Sequence, residues 1–361
     1  MASIQQSVNQ SKIFIYEDNK YFTTKENLKK TIEMYGVAII PNVITEEECV
    51  NMLNGMWEYF EHITKNWTKP ILHNNLESWK EIYKLYPLHS MLIQYWNVGH
   101  AQVSWNIRQN PKIIEIFAHF WKCSPEELLV SFDGLSFNLP PETTKSGWSK
   151  TSKDNSNIST NTWLHTDQSF MNNEFKCIQS WVTALDVNEG DATLAFMEGS
   201  NKYHKDFNIC YKISEKANNK KSIDYIEHRK KYKNDWYKLN NEEEQFYLNK
   251  GCSYKKIKCP KGSMVFWDSR TIHCGTEAMK TREKPNIRAI IYLCYMPRSL
   301  CSKVDLEKKK KAFNELRSTN HWASNPKLFA KNPRTYGGDI PDITTISNPI
   351  LNELGKKLAG F

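Results

Sequence analysis

Apolar residues fall in short stretches separated by polar, Gly- and Pro-marked turns, and the character of these stretches changes near residue 129. Upstream the pattern is helical with one strand. Val37 to Ile40 is a short apolar run stopped by Pro41, and Thr45 then opens a helix, with Glu48 placed to complete a capping box. Cys49, Met52, Leu53, Met56 and Phe60 follow at helical spacing and predict its inward face. "CSPEELL" repeats the start signal, with Ser124 as cap, Pro125 at the first helical position and Glu127 closing the turn. Downstream, "LVSFDGLSFNL" (Leu129 to Leu139) predicts a strand. "CIQSWVTALDV", "ATLAFMEGS", "KGSMVFWDS" and "NIRAIIYLCYM" then recur between turn signals and predict an all-β core, a sandwich or barrel.

Three segments interrupt this pattern. Residues 140–162 are rich in Ser, Thr, Asn and Lys and predict a long lid just ahead of His165. Residues 214–250 are charged and Asn-rich, a helical insertion between strands, and from Cys301 a basic helix is followed by Pro- and Gly-marked loops. The expected organisation is one domain: a mostly helical part over 1–128, a β core over 129–300 with the insertion 214–250, and a C-terminal extension over 301–361.

Composition narrows the class. Charged residues at 25% and hydrophobic ones at 40% are ordinary for a globular protein and exclude disorder throughout. The longest apolar run, Ala289 to Met296, is far short of the ~20 residues that span a bilayer. The N-terminus lacks a basic region followed by an apolar one, and "KLAGF" is no peroxisomal address. Nine Cys without a CxxC pair argue against a disulfide framework or structural zinc and predict a reducing, cytoplasmic setting. The formal charge of +9 is spread over runs such as "HRKKYK" (His228 to Lys233) and "EKKKKAF" (Glu307 to Phe313), which predict solvated helix faces, an anionic partner being the alternative.

His-x-Asp occurs twice, at His165/Asp167 in "NTWLHTDQSF" and at His204/Asp206, and as a pair it is weak. On a strand, residues i and i+2 point the same way, so His165 and Asp167 can present an imidazole and a carboxylate to one ion. Fe(II) in non-haem oxygenases takes two His and one carboxylate and keeps positions open for O2 and an organic co-substrate. His273, in "GSMVFWDSRTIHCG", is the best second histidine because it ends a strand and precedes Gly275. Arg288, in "NIRAII", offers a guanidinium for the distal carboxylate of 2-oxoglutarate. Arg282 competes, but it lies in the charged, Pro-ended turn "KTREKP", whereas Arg288 sits in strand-like alternation.

Over most of its length the chain resembles the phytanoyl-CoA dioxygenase family of Fe(II)/2-oxoglutarate-dependent oxygenases. The resemblance is carried in order by "MYGVAIIPNVITEEEC", "WLHTDQ", "CIQSWVTALDVNEGDATLAFMEGSNKYH", "KGSMVFWDSRTIHCG" and a later "RAI". It implies a mainly β fold with flanking helices around a double-stranded β-helix (jelly roll). It also implies His165, Asp167 and His273 as catalytic iron ligands and Arg288 on 2-oxoglutarate, with Gln179, Trp181, Thr193 and Thr276 as further contacts of the co-substrate. Trp181 can equally be a core aromatic, and Cys177 and Cys274 are expected as small buried hydrophobes. His204 and Asp206 take a structural role. The family's usual Gly-Ser-His is here "GSN", with Asn201 in place of the His.

The implied activity is hydroxylation of a C–H bond of a small-molecule metabolite, consuming O2 and releasing succinate and CO2. Retention of Asp167 separates the chain from halogenating relatives, which replace that carboxylate. Ligand histidines must be neutral, so activity is expected to fall at low pH. Two other readings stay in view: an oxygenase acting on nucleic acid, marked by salt-sensitive binding, and a metal-free jelly-roll binding protein. A monomer is expected.

Overall fold

The alternating stretches fold into two main sheets, with two-stranded ribbons beside them, in the computed structural model, which describes residues 12–85, 92–148, 158–159, 163–333 and 339–361. Most of the expected lid, 140–162, and the extreme N-terminus lie outside the described residues; within the lid, Pro141–Thr144 is a short helix. The core strands are β1 Ile15–Tyr16, β2 Val37–Ile40, β3 Leu135–Asn138, β4 His165–Thr166, β5 Ile178–Thr183 and β6 Thr193–Met197, followed by β7 Tyr237–Lys238, β8 Tyr254–Lys256, β9 Met264–Asp268, β10 His273–Thr276 and β11 Arg288–Leu293. One sheet runs β7-β4-β10-β6-β8-β1 and the other β2-β9-β5-β11-β3. All pairs are antiparallel except β8 with β1.

Pleating sends alternate residues to opposite faces, and the sheets meet through their inner rows. Val37, Ile39, Trp181, Val265, Trp267 and Ile290 of one sheet pack with Leu194 and Phe196 of the other in one buried cluster. Each such side chain contributes about 1.5–3 kcal/mol on burial, which fixes the register of both sheets. The outer rows are covered by helices, so helix and sheet are mixed rather than the fold being mainly β. Ala38, Phe266, Val182, Ile291 and Phe137 face the helix Glu46–Thr64, the helix Pro111–Trp121 and the C-terminal helices Lys303–Asn314 and Glu353–Ala359. Ala195, Met197 and Cys274 face Phe207 and Ile213, which lead into the insertion, and Tyr232 and Tyr247 within it.

The helix at Glu46 starts as expected: Thr45 and Glu48 satisfy each other's backbone N–H groups. "CSPEELL" yields only a three-residue 3-10 turn, Pro125–Glu127, because Leu128–Val130 is at once drawn into pairing with Tyr295–Pro297. The expected strand Leu129–Leu139 is therefore two strands in different sheets, Leu128–Val130 and β3. The break falls at Gly134, where a Cβ would lie 1.8 Å from the Ile93 carbonyl oxygen, and that close approach lets Ile93 and Leu135 exchange backbone hydrogen bonds. Among the described residues no helix is long and apolar enough to cross a membrane. All nine cysteines are free thiols, with Cys177 and Cys274 fully buried.

Candidate metal centre

Strand pairing brings the two histidines together. His273 on β10 is the cross-strand partner of His165 on β4, and their ring centroids lie 4.4 Å apart. Asp167 follows directly after β4, its N–H donating to the Ser269 carbonyl at 3.2 Å. Its Oδ1 is 3.5 Å from His165 Nε2 and its Oδ2 is 3.3 Å from His273 Nε2. One ligand atom from each of the three lies within 4.8 Å of the others.

The rings are aimed by the backbone. His165 Nδ1 donates to the Trp163 carbonyl at 3.0 Å and His273 Nδ1 to the Thr271 carbonyl at 2.9 Å. Each ring thus holds the carbonyl two residues before it, which places the proton on Nδ1 and leaves the Nε2 lone pair facing Asp167. The Trp163 indole stacks on His165 at 4.7 Å and donates to the Gly275 carbonyl at 3.0 Å. Burial, reinforced by His273, pushes His165 down to about 4 against the opposing pull of Asp167. Burial of Asp167 works to raise its pKa but is outweighed by the attraction of the two imidazoles in their protonated form, so the carboxyl stays ionised well below the usual range. Neutral imidazoles beside an ionised carboxylate are the state in which all three donate lone pairs.

The other expected residues divide by face. Gln179 is on the inner face of β5 and donates from Nε2 to Asp167 Oδ2 at 3.0 Å. Trp181, two residues on, is packed in the core between the sheets. Arg288 is buried on the inner face of β11, with Nη2 3.5 Å from the Tyr292 hydroxyl, which in turn lies 3.1 Å from Ser136 Oγ. Arg282 is committed elsewhere: it pairs with Glu142 and, at 3.1 Å, with Asp191. Thr193 and Thr276 are cross-strand partners on the outer row, parity with Ala195 and Cys274, and they bond to the carbonyls of Ile257 and Thr193. The pleat turns both away from the triad.

The second His-x-Asp copy is structural. His204 Nε2 contacts the Ser169 carbonyl and Asp206 pairs with Lys250 at the surface. Asn201 is buried and donates to the Ile32 carbonyl in the last turn of the helix Leu28–Tyr35, so the departure at this position caps a helix. Two contributions come from the insertion 214–250 and the tail Arg317 to Trp322, segments whose sequence points to pocket walls without naming a residue. The insertion supplies β7, which pairs with β4 and brings Trp236 to 5.7 Å from His165; its only signal is the alternation Tyr237, Lys238, Leu239. His321 of the C-terminal segment lies near enough to lower both Asp167 and His165, and its Nε2 is buried without a hydrogen-bond partner among the described residues. A cavity of about 890 Å³, lined by Phe14, Tyr16, Val187, Met279 and Arg282 at the far end of β5, holds none of the triad.

Two imidazoles and a carboxylate gathered between two antiparallel sheets form the donor set of a non-haem iron centre. The phytanoyl-CoA dioxygenase (PhyH) family model matches residues 32–283, and the chain belongs to that family. Family and triad together fit Fe(II) and 2-oxoglutarate. The chain is 26% identical over 227 residues to Ava biosynthesis cluster protein O of Aspergillus versicolor, a match covering 63% of this chain and 65%, just under two thirds, of that protein. Its fold is similar to that of a candidate oxidoreductase from Salmonella typhimurium LT2, with a TM-score of 0.51, 12% identity, and coverage of 94% of this chain and 86% of that one. EvdO2 from Micromonospora carbonacea var. aurantiaca, solved with 2-oxoglutarate, is matched over 80% of this chain and 94% of that one, at 14% identity and a TM-score of 0.39.

Proposed function

We propose that this protein is an Fe(II)- and 2-oxoglutarate-dependent dioxygenase that hydroxylates a C–H bond of a small-molecule metabolite from within a double-stranded β-helix. The observation that carries the reading is the convergence of His165, Asp167 and His273, from two strands and the turn after one of them, on one point. The bound metal, with 2-oxoglutarate and O2, supplies the oxidation, which converts the co-substrate to succinate and CO2. His165, Asp167 and His273 hold the metal. Gln179 fixes the rotation of the Asp167 carboxylate. Arg288, carried inward by β11, takes the distal carboxylate of 2-oxoglutarate, and Tyr292 steadies its guanidinium. Trp163 and Trp267 flank the two imidazoles and keep water from them. A small-molecule substrate is supported by the relative whose name places it in a biosynthesis cluster.

The test is succinate formation from 2-oxoglutarate by the purified protein with added Fe(II), with and without a metabolite extract. Succinate is expected in both, faster with extract, and absent from Asp167→Ala and after chelation. A well-folded wild-type protein that binds no iron and forms no succinate is a binding protein, and the reading fails.

A further inference from the structure

The insertion between β6 and β8 carries a surface that catalysis does not use. From Glu215 to Lys233 it holds seven lysines and arginines against three acidic residues. Among the described residues none of the seven is in an ion pair; the pairs nearest in sequence, Lys250 with Asp206 and Lys327 with Asp235, lie outside the segment. The other basic run differs. There Lys308, Lys310 and Lys311 are each paired with an acidic neighbour and Lys309 is buried.

Beside this unneutralised charge stand two isoleucines in full contact with water, Ile223 at 97% and Ile226 at 79% exposure. In the helix Tyr225–Lys233, Tyr232 is buried and turned inward, and Ile226 shares the outward face with Arg229, Lys230 and Lys233 at helical spacing. Trp236, half exposed, continues this surface to the metal centre, where its ring faces His165. We propose that this surface docks the protein on an anionic lipid bilayer, with Ile223 and Ile226 entering the interface, the basic residues on the headgroup phosphates, and the Trp236 edge of the metal centre on the membrane side. An aliphatic tip with a basic shoulder fits the boundary between acyl chains and charged headgroups. A nucleic acid would use the charge but leave both isoleucines in water. Docking needs neither metal nor 2-oxoglutarate.

Co-sedimentation of the full chain with phosphatidylcholine vesicles, with and without phosphatidylserine, tests this at low and high salt. Binding is expected only to the phosphatidylserine vesicles and is lost at high salt. The double variant Ile223→Asp/Ile226→Asp lowers the partition coefficient about tenfold or more, and Lys230→Gln/Lys233→Gln lowers it about fivefold per charge removed. All four side chains are exposed, so thermal unfolding of the variants stays at the wild-type midpoint. Equal binding to neutral vesicles, no binding to either, or binding unchanged in both variants overturns the proposal. So does salt-sensitive binding to an oligonucleotide without vesicle binding.

Discussion

His165 and His273 hold the same posture by the same means: each donates its Nδ1 proton to the carbonyl two residues earlier, and the two residues are direct partners across antiparallel strands. The orientation of both ligands is therefore a property of the backbone, and Asp167 is the donor steered by a side chain, Gln179.

Gln179→Leu keeps all three donors but releases the Asp167 carboxylate from its N–H partner. Iron affinity is expected to fall about 10- to 100-fold, measured by competition with a calibrated chelator, with little change in the unfolding midpoint. Unchanged affinity would show that Asp167 needs no steering.

The two candidate arginines should separate by phenotype. Arg288→Gln is expected to raise the KM for 2-oxoglutarate about thirtyfold or more while the iron affinity holds. Arg282→Gln removes a guanidinium paired with Glu142 and Asp191 and is expected to cost on the order of 2–3 kcal/mol of stability with an unchanged KM. Kinetics and urea unfolding on both variants decide it.

Lys309 is fully buried, donating to the Val130 carbonyl with its ammonium 3.9 Å over the Phe132 ring. Burial, with Arg108 adding to it, pushes the amine down to about 7 from 10.5. Between those values the unfolded chain binds the extra proton, so this group makes stability rise with pH. Below about 7 both states carry the proton and the folded protein bears the full penalty of a buried charge. Lys309→Met is expected to be more stable than wild type at neutral pH, and its unfolding free energy should climb less from pH 7 upward, by at most about 1.4 kcal/mol per unit. Parallel urea titrations across that range give the difference.

Gly36 has φ of +81°, and a Cβ there would stand 2.7 Å from Thr271 Oγ1. Gly36→Ala is expected to lose at least about 1–2 kcal/mol and also to weaken iron binding, because Thr271 is the residue whose carbonyl orients His273. A stability loss with intact iron affinity would uncouple the two.

The readable parts of the sequence are those where one local rule decides. Thr45 with Glu48, the run Val37–Ile40, and the alternation through Trp181, Val265 and Ile290 each carry their own period or cap. The triad was legible because i, i+2 spacing lets His165 and Asp167 reach one point, whereas His273, expected at the end of a strand, in fact opens one, β10. What failed depends on contacts made far away. Gly134 breaks a strand only because Ile93 arrives there, and β7 is too short to have a period of its own. Thr193 and Thr276, expected beside the co-substrate, lie on the outer row: Thr276 is three residues from His273 and so faces the other way, and Thr193 shares its face as its cross-strand partner.

Thr271 gives its carbonyl to a metal ligand and its hydroxyl to the carbonyl of Gly36, 235 residues upstream. The posture of His273 is thus inherited from the opening helix, like a door hung on a distant post. A chain trimmed at its start keeps every donor atom but forfeits that anchor, so the amino-terminal region belongs in any minimal catalytic fragment.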